Sequence, residues 1–438
     1  MSVRTASRIA AALAVLVLTT AAAPARSRLE QYFHLRQEAA KAAQAGDLVT
    51  AETKFEQALA LYPSAPGSFI RLARVEVAAG KPQEAIAHLA EYARLGLVWD
   101  VASDPVLKAL IADPAFAPVA ARLAKNALPV GEVTQIAALG PAGAVNEGVA
   151  PGGDGWLVSA VAGRSIIRVG GAGRTDYLKP DAETGGLFGL ATDVRRGVLW
   201  AAESSGPGIP GSSGPRRTGL LKLSLQDGKV IARFPVPDDG LEHQIGDVAV
   251  ADDGTVYASD SIGAVIYRLK PGAAQLEPFL RTKEMASPQG MAICPGGDAM
   301  VIADYSTGLH RLDLKTGVLT WVGGLRVALA GTDGLFSVAY DFGMRSASPN
   351  PVGMVAVQNG VSPQRLMFLR LSPDCDELED ATVMAANLPQ TDDLTLGVDG
   401  GGRVLFIGSS GWADRDGEGK LTTDTPRTAG LFSVPLPR

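Results

Sequence analysis

Three carboxylates recur at one point of a repeated phrase. Glu147, Asp333 and Asp393 each stand where a short strand-like run begins, and each such run reads as the innermost strand of a blade. Aligned by their turns, the other copies place Phe188, Gly246 and Gln289 at the same point, so the six residues would ring the mouth of a central channel. Acids held close together repel one another and are driven toward protonation unless a cation lies between them. Three carboxylates plus the Gln289 amide oxygen make a hard donor set, which suits calcium first and then magnesium or manganese, and suits zinc or copper poorly. The same acids can also be read as caps on nearby backbone N–H groups, or as solvated groups around a water-filled tunnel. His34 and His88 fall in a helical region and His310 in an outer strand. His243 alone comes near the mouth, as a proton carrier or as a loop residue. Phe188 and His243 are the candidates for substrate contact.

The elements that must position these residues are short strands. In the phrase from Gly246 to Leu269, apolar residues alternate on both sides of Asp252-Asp253-Gly254, a tight-turn sequence, giving strand, turn, strand, loop, strand. The pattern recurs at Gly148-Val149-Ala150, Gly189-Leu190-Ala191 and Gly290-Met291-Ala292, and more loosely at Gly334-Leu335-Phe336 and Leu394-Thr395-Leu396. Six copies of a small antiparallel sheet point to a six-bladed β-propeller. The last copy lacks a fourth strand, and a strand-like segment at 131–140 precedes the first, so the two are expected to pair and close the ring. On this geometry the loops Ser204 to Thr218 and Ser409 to Thr428 share the mouth face and flank the first blade. The helical region is expected on the opposite face or at the rim.

Ahead of the strands, residues 28–128 show helical marks. Gly46, Ala51, Phe55, Ala58 and Pro63 outline a helix-turn-helix, and Gly80 and Ala85 repeat the first two marks 34 residues on. That period resembles a tetratricopeptide repeat, which implies a groove for a peptide or protein partner, although two repeats could equally be a docking appendage. Residues 1–25 carry Arg4, Arg8, the apolar run Ile9 to Leu18 and Ala23-Pro24-Ala25, the pattern of a secretory signal. The chain is therefore expected in the periplasm or secreted, with no membrane span and with 131–438 as the propeller. Its fold class is mainly β with a small all-α segment in front. A net charge of −6 gives no basic field for nucleic acid. Cys294 lies inside an inner strand of the fourth copy and Cys375 in a polar turn after the fifth; export permits a disulfide between them, but inner and outer positions of different blades are expected to be too far apart to bridge.

With these residues in view, the propeller resembles the gluconolactonase/regucalcin-like six-bladed proteins: Glu147-Gly148 opens the first inner strand, Asp333-Gly334 the fifth, and Asp252-Asp253-Gly254-Thr255-Val256-Tyr257 is a typical phrase. The resemblance implies a divalent cation held by Glu, Asn and Asp that polarises a sugar lactone for attack by water. On this chain the Glu falls on Glu147 and the Asp on Asp333. The Asn falls on Gln289, and a second, substrate-contacting Asn on Gly246. Asp393 is then the extra ligand or general base of a lactone or ester hydrolase. The competing reading is a non-catalytic binding scaffold, favoured by Gly246 and Gln289.

Overall fold

In the computed structural model, which describes residues 26–212, 216–342 and 351–437, each repeated phrase is one antiparallel sheet. The proposed leader at 1–25 lies outside the described residues. The six sheets span 146–178, 186–235, 245–281, 288–321, 332–386 and 397–435. In the third, Ala251 N donates to Thr255 O at 2.8 Å and Gly254 takes φ +91°, a left-handed turn position that glycine adopts without penalty.

Alternation of side chains at period two gives each sheet two apolar faces, and each face meets the neighbouring blade. Leu157 and Ile166 of the first blade pack with Leu199 and Leu221 of the second. Val149 and Val158 on its other face pack with Ile407 and Leu431 of the sixth. The ring is thus a closed series of sheet-to-sheet interfaces. Thr134–Ala138 pairs antiparallel with Gly430–Pro435, with Thr134 opposite Ser433 and Ala138 opposite Gly430, so the sixth blade takes its outermost strand from ahead of the first. The fifth blade adds a short parallel strand, Gly323–Gly324, on its outer edge.

Two antiparallel helix pairs precede the ring: α1 (Arg28–Gln44), α2 (Leu48–Leu61), α3 (Pro66–Ala78) and α4 (Pro82–Arg94). Ser27 and Glu30 form a reciprocal capping box at the start of α1, and Asp47 caps α2. Gly46 and Gly80 turn the chain at φ +80° and +74°. Phe55 and Leu89 are buried between helices. A last helix, α5 (Ala117–Asn126), follows two short 3₁₀ turns.

The helices sit on the mouth face, beside the channel, and not on the opposite face as the strand order implied. Ser27 Oγ donates to Lys283 O at 2.7 Å, Arg326 Nη2 to Pro63 O at 2.6 Å, and Val98 N to Ser362 O at 2.7 Å. All three propeller residues lie in mouth-side loops, Lys283 between blades three and four, Arg326 between blades four and five, and Ser362 within blade five. Arg28 lies over the rings of Tyr62 and Trp321, at 4.8 and 4.6 Å from their centroids. The closing strand does ascend toward the mouth as expected. What the sequence hid is the descent before it: Val130 pairs antiparallel with Ala386 at the top of blade five, and the chain drops along that blade's edge before turning into Thr134–Ala138.

Gly131 makes that descent possible. Its φ is +80°, and a Cβ there would lie 2.1 Å from Met384 O. Gly131→Ala should therefore destabilise the chain by roughly 2 kcal/mol, the combined effect of left-handed strain and a backbone clash. Equilibrium urea unfolding would measure it. A second correction concerns the cysteines: Cys294 and Cys375 are disulfide-bonded, with Cα atoms 6.5 Å apart. Cys294 ends the inner strand of blade four and Cys375 lies between the third and fourth strands of blade five, so both are at the face away from the mouth. They share one apolar core between the two blades, and adjacency there outweighs their inner and outer positions.

Candidate functional site at the channel mouth

The mouth residues are aimed inward by irregular register. Five inner strands break their ladder near the start, between Asn146 and Val149, Leu187 and Leu190, Ile245 and Asp247, Pro288 and Met291, and Thr332 and Gly334. A bulge frees the residue within it from alternation and turns its side chain along the channel. The glycines after the mouth residues let the blades approach: a Cβ on Gly148 would lie 2.4 Å from Phe188 O, and one on Gly290 2.2 Å from Leu335 N.

Glu147, Phe188, Gln289, Asp333 and Asp393 line one cavity of about 360 Å³, joined by Gln244, Tyr305, Asn359, Gln364 and Trp412. Gly246 sits in the third blade's bulge as its counterparts do but has no side chain to offer, and Gln244 lines the cavity on that blade. A Cβ on Gly246 would lie 3.4 Å from Gln289 Oε1, so the position still borders the site. His243 is elsewhere. It is buried below the rim, with Nδ1 2.5 Å from Asp260 Oδ2 and Nε2 2.8 Å from Asp239 Oδ1. Burial opposes its charge, but the two carboxylates outweigh that and raise its pKa above the usual histidine value. This arrangement ties the loop before blade three to the blade itself.

Five of the side chains were not picked out by the sequence, and four of them brace the acids or the backbone beside them. Trp412 Nε1 donates to Glu147 Oε2 at 2.6 Å, and its ring faces Phe188 at 6.3 Å. Trp412 comes from the long Ser409 to Thr428 loop, the segment expected to wall the opening. Asn359 Nδ2 donates to Asp333 Oδ2 at 2.7 Å and to Leu394 O at 2.8 Å, while Tyr305 OH donates to Asn359 Oδ1 at 3.0 Å. Gln364 Oε1 accepts from Leu394 N at 3.0 Å. Asn359-Gly360 is an Asn-Gly turn pair, a signal present in the sequence but away from the inner strands.

Asp393 is a lining residue and a backbone cap at once. It lines the cavity, yet its Oδ2 accepts from Ser410 Oγ at 2.8 Å, Gly411 N at 2.8 Å and Ala413 N at 3.1 Å, so it also caps the loop that carries Trp412.

Among the described residues, no Lys, Arg or His lines this cavity. Burial, and then the charge of Asp333, push the Glu147 carboxyl well above the ordinary glutamate range, against the hydrogen bond from Trp412. Burial also lifts Asp333 to about 6, against the hydrogen bond from Asn359 and with help from Asp393. Asp247, one residue beyond the expected mouth position, is lifted to about 7 by burial and by Asp333, while its Oδ2 accepts from Met291 N of the next blade. The donor chemistry fits a hard divalent cation, since Glu147, Asp333 and the Gln289 amide supply oxygen to a space with surplus negative charge. Among the described residues, no group of three His, Cys, Asp or Glu converges on a single ligating point.

No protein-family model matches the chain, and no curated protein matches it. Among solved structures, it is similar to a protein assigned as a gluconolactonase, at 19% identity over 69% of this chain and 91% of that one, with a TM-score of 0.44. It is similar also to the calcium-binding protein regucalcin of Agrobacterium tumefaciens, at 14% identity over 67% and 90% of the two chains, with a TM-score of 0.44. Virginiamycin B lyase of Staphylococcus aureus aligns at 13% identity over 64% and 83%, again with a TM-score of 0.44.

Proposed function

We propose that the channel mouth binds a divalent cation, calcium foremost with magnesium or manganese as alternatives, and that an exported chain hydrolyses a lactone or ester there. The observation that carries this reading is the set of three carboxylates facing one cavity whose lining, among the described residues, contains no basic side chain. Glu147, Asp333 and the Gln289 oxygen would hold the cation. When bound, it would supply Lewis-acid polarisation of the substrate carbonyl.

The chain's own residues do the rest. Trp412 fixes the Glu147 carboxylate and, with Phe188, offers an apolar wall to the substrate. Asn359 fixes Asp333 and is itself fixed by Tyr305, whose hydroxyl burial pushes up to about 12, so that it remains a donor. Asp393 is held through Oδ2 by the loop, and its other oxygen would take the proton of the attacking water.

Calorimetric titration of the chelator-stripped full chain with calcium chloride should show one saturable site that is lost in Glu147→Gln. Absence of binding for calcium, magnesium and manganese alike would overturn both the cation and the hydrolase that depends on it. A screen of sugar lactones with the calcium-loaded chain then tests turnover.

A further inference from the structure

Beside the mouth lies a second cleft, of about 620 Å³, walled on one side by α3 and on the other by the Asn359–Ser362 loop of blade five. Its electrostatics are the reverse of the mouth's. Arg71 lines it, and Arg36 of α1 reaches the same place: a Cβ on Gly67, the residue between them, would lie 3.4 Å from Arg71 Nη1 and 3.9 Å from Arg36 Nη2. Neither guanidinium has a carboxylate partner among the described residues, whereas the nearby Arg74 is paired with Asp104 at 2.8 Å. Arg36 Nε is buried and makes no hydrogen bond. Arg71 reaches only Gly67 O, at 3.4 Å. Burial and then the Arg36 charge lower the Arg71 pKa, as expected for like charges held together.

Two arginine heads forced together, one with an orphaned N–H, lack a partner that accepts from both. An oxyanion is such a partner, because guanidinium groups match carboxylate and phosphate oxygens in a fixed fork. The overall charge of −6 makes this basic pair a local feature and not part of a general field. The cleft also adjoins the mouth. Asn359 lines both spaces, and its side chain holds Asp333 on the mouth side.

We infer that the cleft between α3 and the Asn359–Ser362 loop is an oxyanion subsite, centred on Arg71 and Arg36, and that the ligand of the mouth is a small molecule bearing a carboxylate or phosphate group. The helical segment is then one wall of the binding site. The second half of this inference rests on the mouth reading, while the anion subsite does not. A ligand spanning the two would place its anionic group against Arg71 and its neutral, reacting end past Asn359 toward Glu147 and Asp333.

The test uses the full chain without added cation, titrated separately with inorganic phosphate and with succinate at low ionic strength. One saturable site is expected for at least one of the two, and which one binds identifies phosphate or carboxylate as the group received. Arg71→Gln, at an exposed position that tolerates the change, should weaken that binding at least tenfold. Arg36→Gln should weaken it similarly, and exposed Arg122→Gln should leave it unchanged. Asp333→Asn should leave anion binding unchanged or tighter while removing cation binding, which separates failure of the mouth reading from failure of this one. Absence of saturable binding for both anions, equal affinity in Arg71→Gln, or loss of anion binding in Asp333→Asn would each overturn the subsite.

Discussion

Asp333→Asn should abolish the thermal response to calcium and, in the cation-free protein, leave stability equal to or higher than that of the unaltered chain. A ligand bound only to the native state stabilises it by RT ln(1 + [L]/Kd), about 2.7 kcal/mol at a hundred times Kd, which for a propeller of about 300 residues is a shift of about 4 °C. Removing one carboxylate from the cation's donor set takes most of that away. Without cation the balance reverses, because Asp333 is one of several acids crowded at the mouth and a neutral amide still accepts from Asn359.

The pH dependence follows from the same group. Asp333 is raised in the folded state to about 6 from an ordinary value of 3.8, so between these values the native chain holds a proton that the unfolded chain has released. The unfolded state then binds fewer protons, and unfolding free energy falls as pH rises through the window. The stabilisation of the protonated form is complete below about pH 4 and is gone above about pH 6. Calcium needs the ionised carboxylate, so its added stability should grow over the same range. Thermal melts at pH 5 and pH 7.5, with and without calcium, would show opposite slopes for stripped and loaded protein. The slope due to Asp333 should vanish in Asp333→Asn. If stripped wild type and variant respond identically to pH, Asp333 is not the raised group.

How much of this was legible in the sequence depends on whether the determining contact is local. The blades were, because alternation around turns such as Asp252-Asp253-Gly254 is a local pattern repeated six times. The closing strand was, because one copy lacked a strand and one segment lacked a partner. Glu147, Asp333, Gln289 and Asp393 were placed by analogy among copies, and they do line one cavity. Gly246 was aligned at the equivalent bulge but carries no side chain, and Gln244, ahead of the strand and outside the apolar alternation, lines the cavity there. Asn359, Tyr305 and Trp412 come from loops, whose geometry is set by contacts with other blades and not by period. The disulfide and the seat of the helices were misread for one reason: both depend on which loops of adjacent blades come together. His243 has its partners 4 and 17 residues away, and no pattern in the chain announces them.

Arg365 is the clearest case of a residue whose role only the three-dimensional structure reveals, and it carries the second large prediction. It opens the strand Arg365–Leu371, whose other residues are apolar except Arg370. In the structure it is 1% exposed, beneath the helices. Its Nε donates to Gln358 Oε1 at 2.7 Å, Nη2 to Ala328 O at 3.0 Å, and Nη1 to Leu95 O and Gly96 O at 3.2 and 3.3 Å. The last two carbonyls end α4, where the helix dipole favours a cation and where four carbonyls lack intrahelical partners. Burial lowers the guanidinium to about 10, leaving it charged at neutral pH.

Arg365→Met keeps the volume and removes the donors, so Leu95 O and Gly96 O are left buried without a partner while the desolvation cost of the charge is relieved. An unsatisfied buried acceptor costs roughly 1–3 kcal/mol, so a net loss of about 3 kcal/mol is expected. Lysine should restore little of it, since a compact ammonium cannot span four acceptors fixed for a planar fork. The loss should be local before it is global. The amide of Val98, which donates to Ser362 O at 2.7 Å across the same seam, should exchange its hydrogen faster, while strand amides such as Val301 in the ring keep their protection. Hydrogen exchange with peptide-level resolution would separate the two. A methionine variant as stable as the wild type, with Val98 equally protected, would show that apolar packing around Ala328 and Phe69 holds the helices on the mouth face without Arg365.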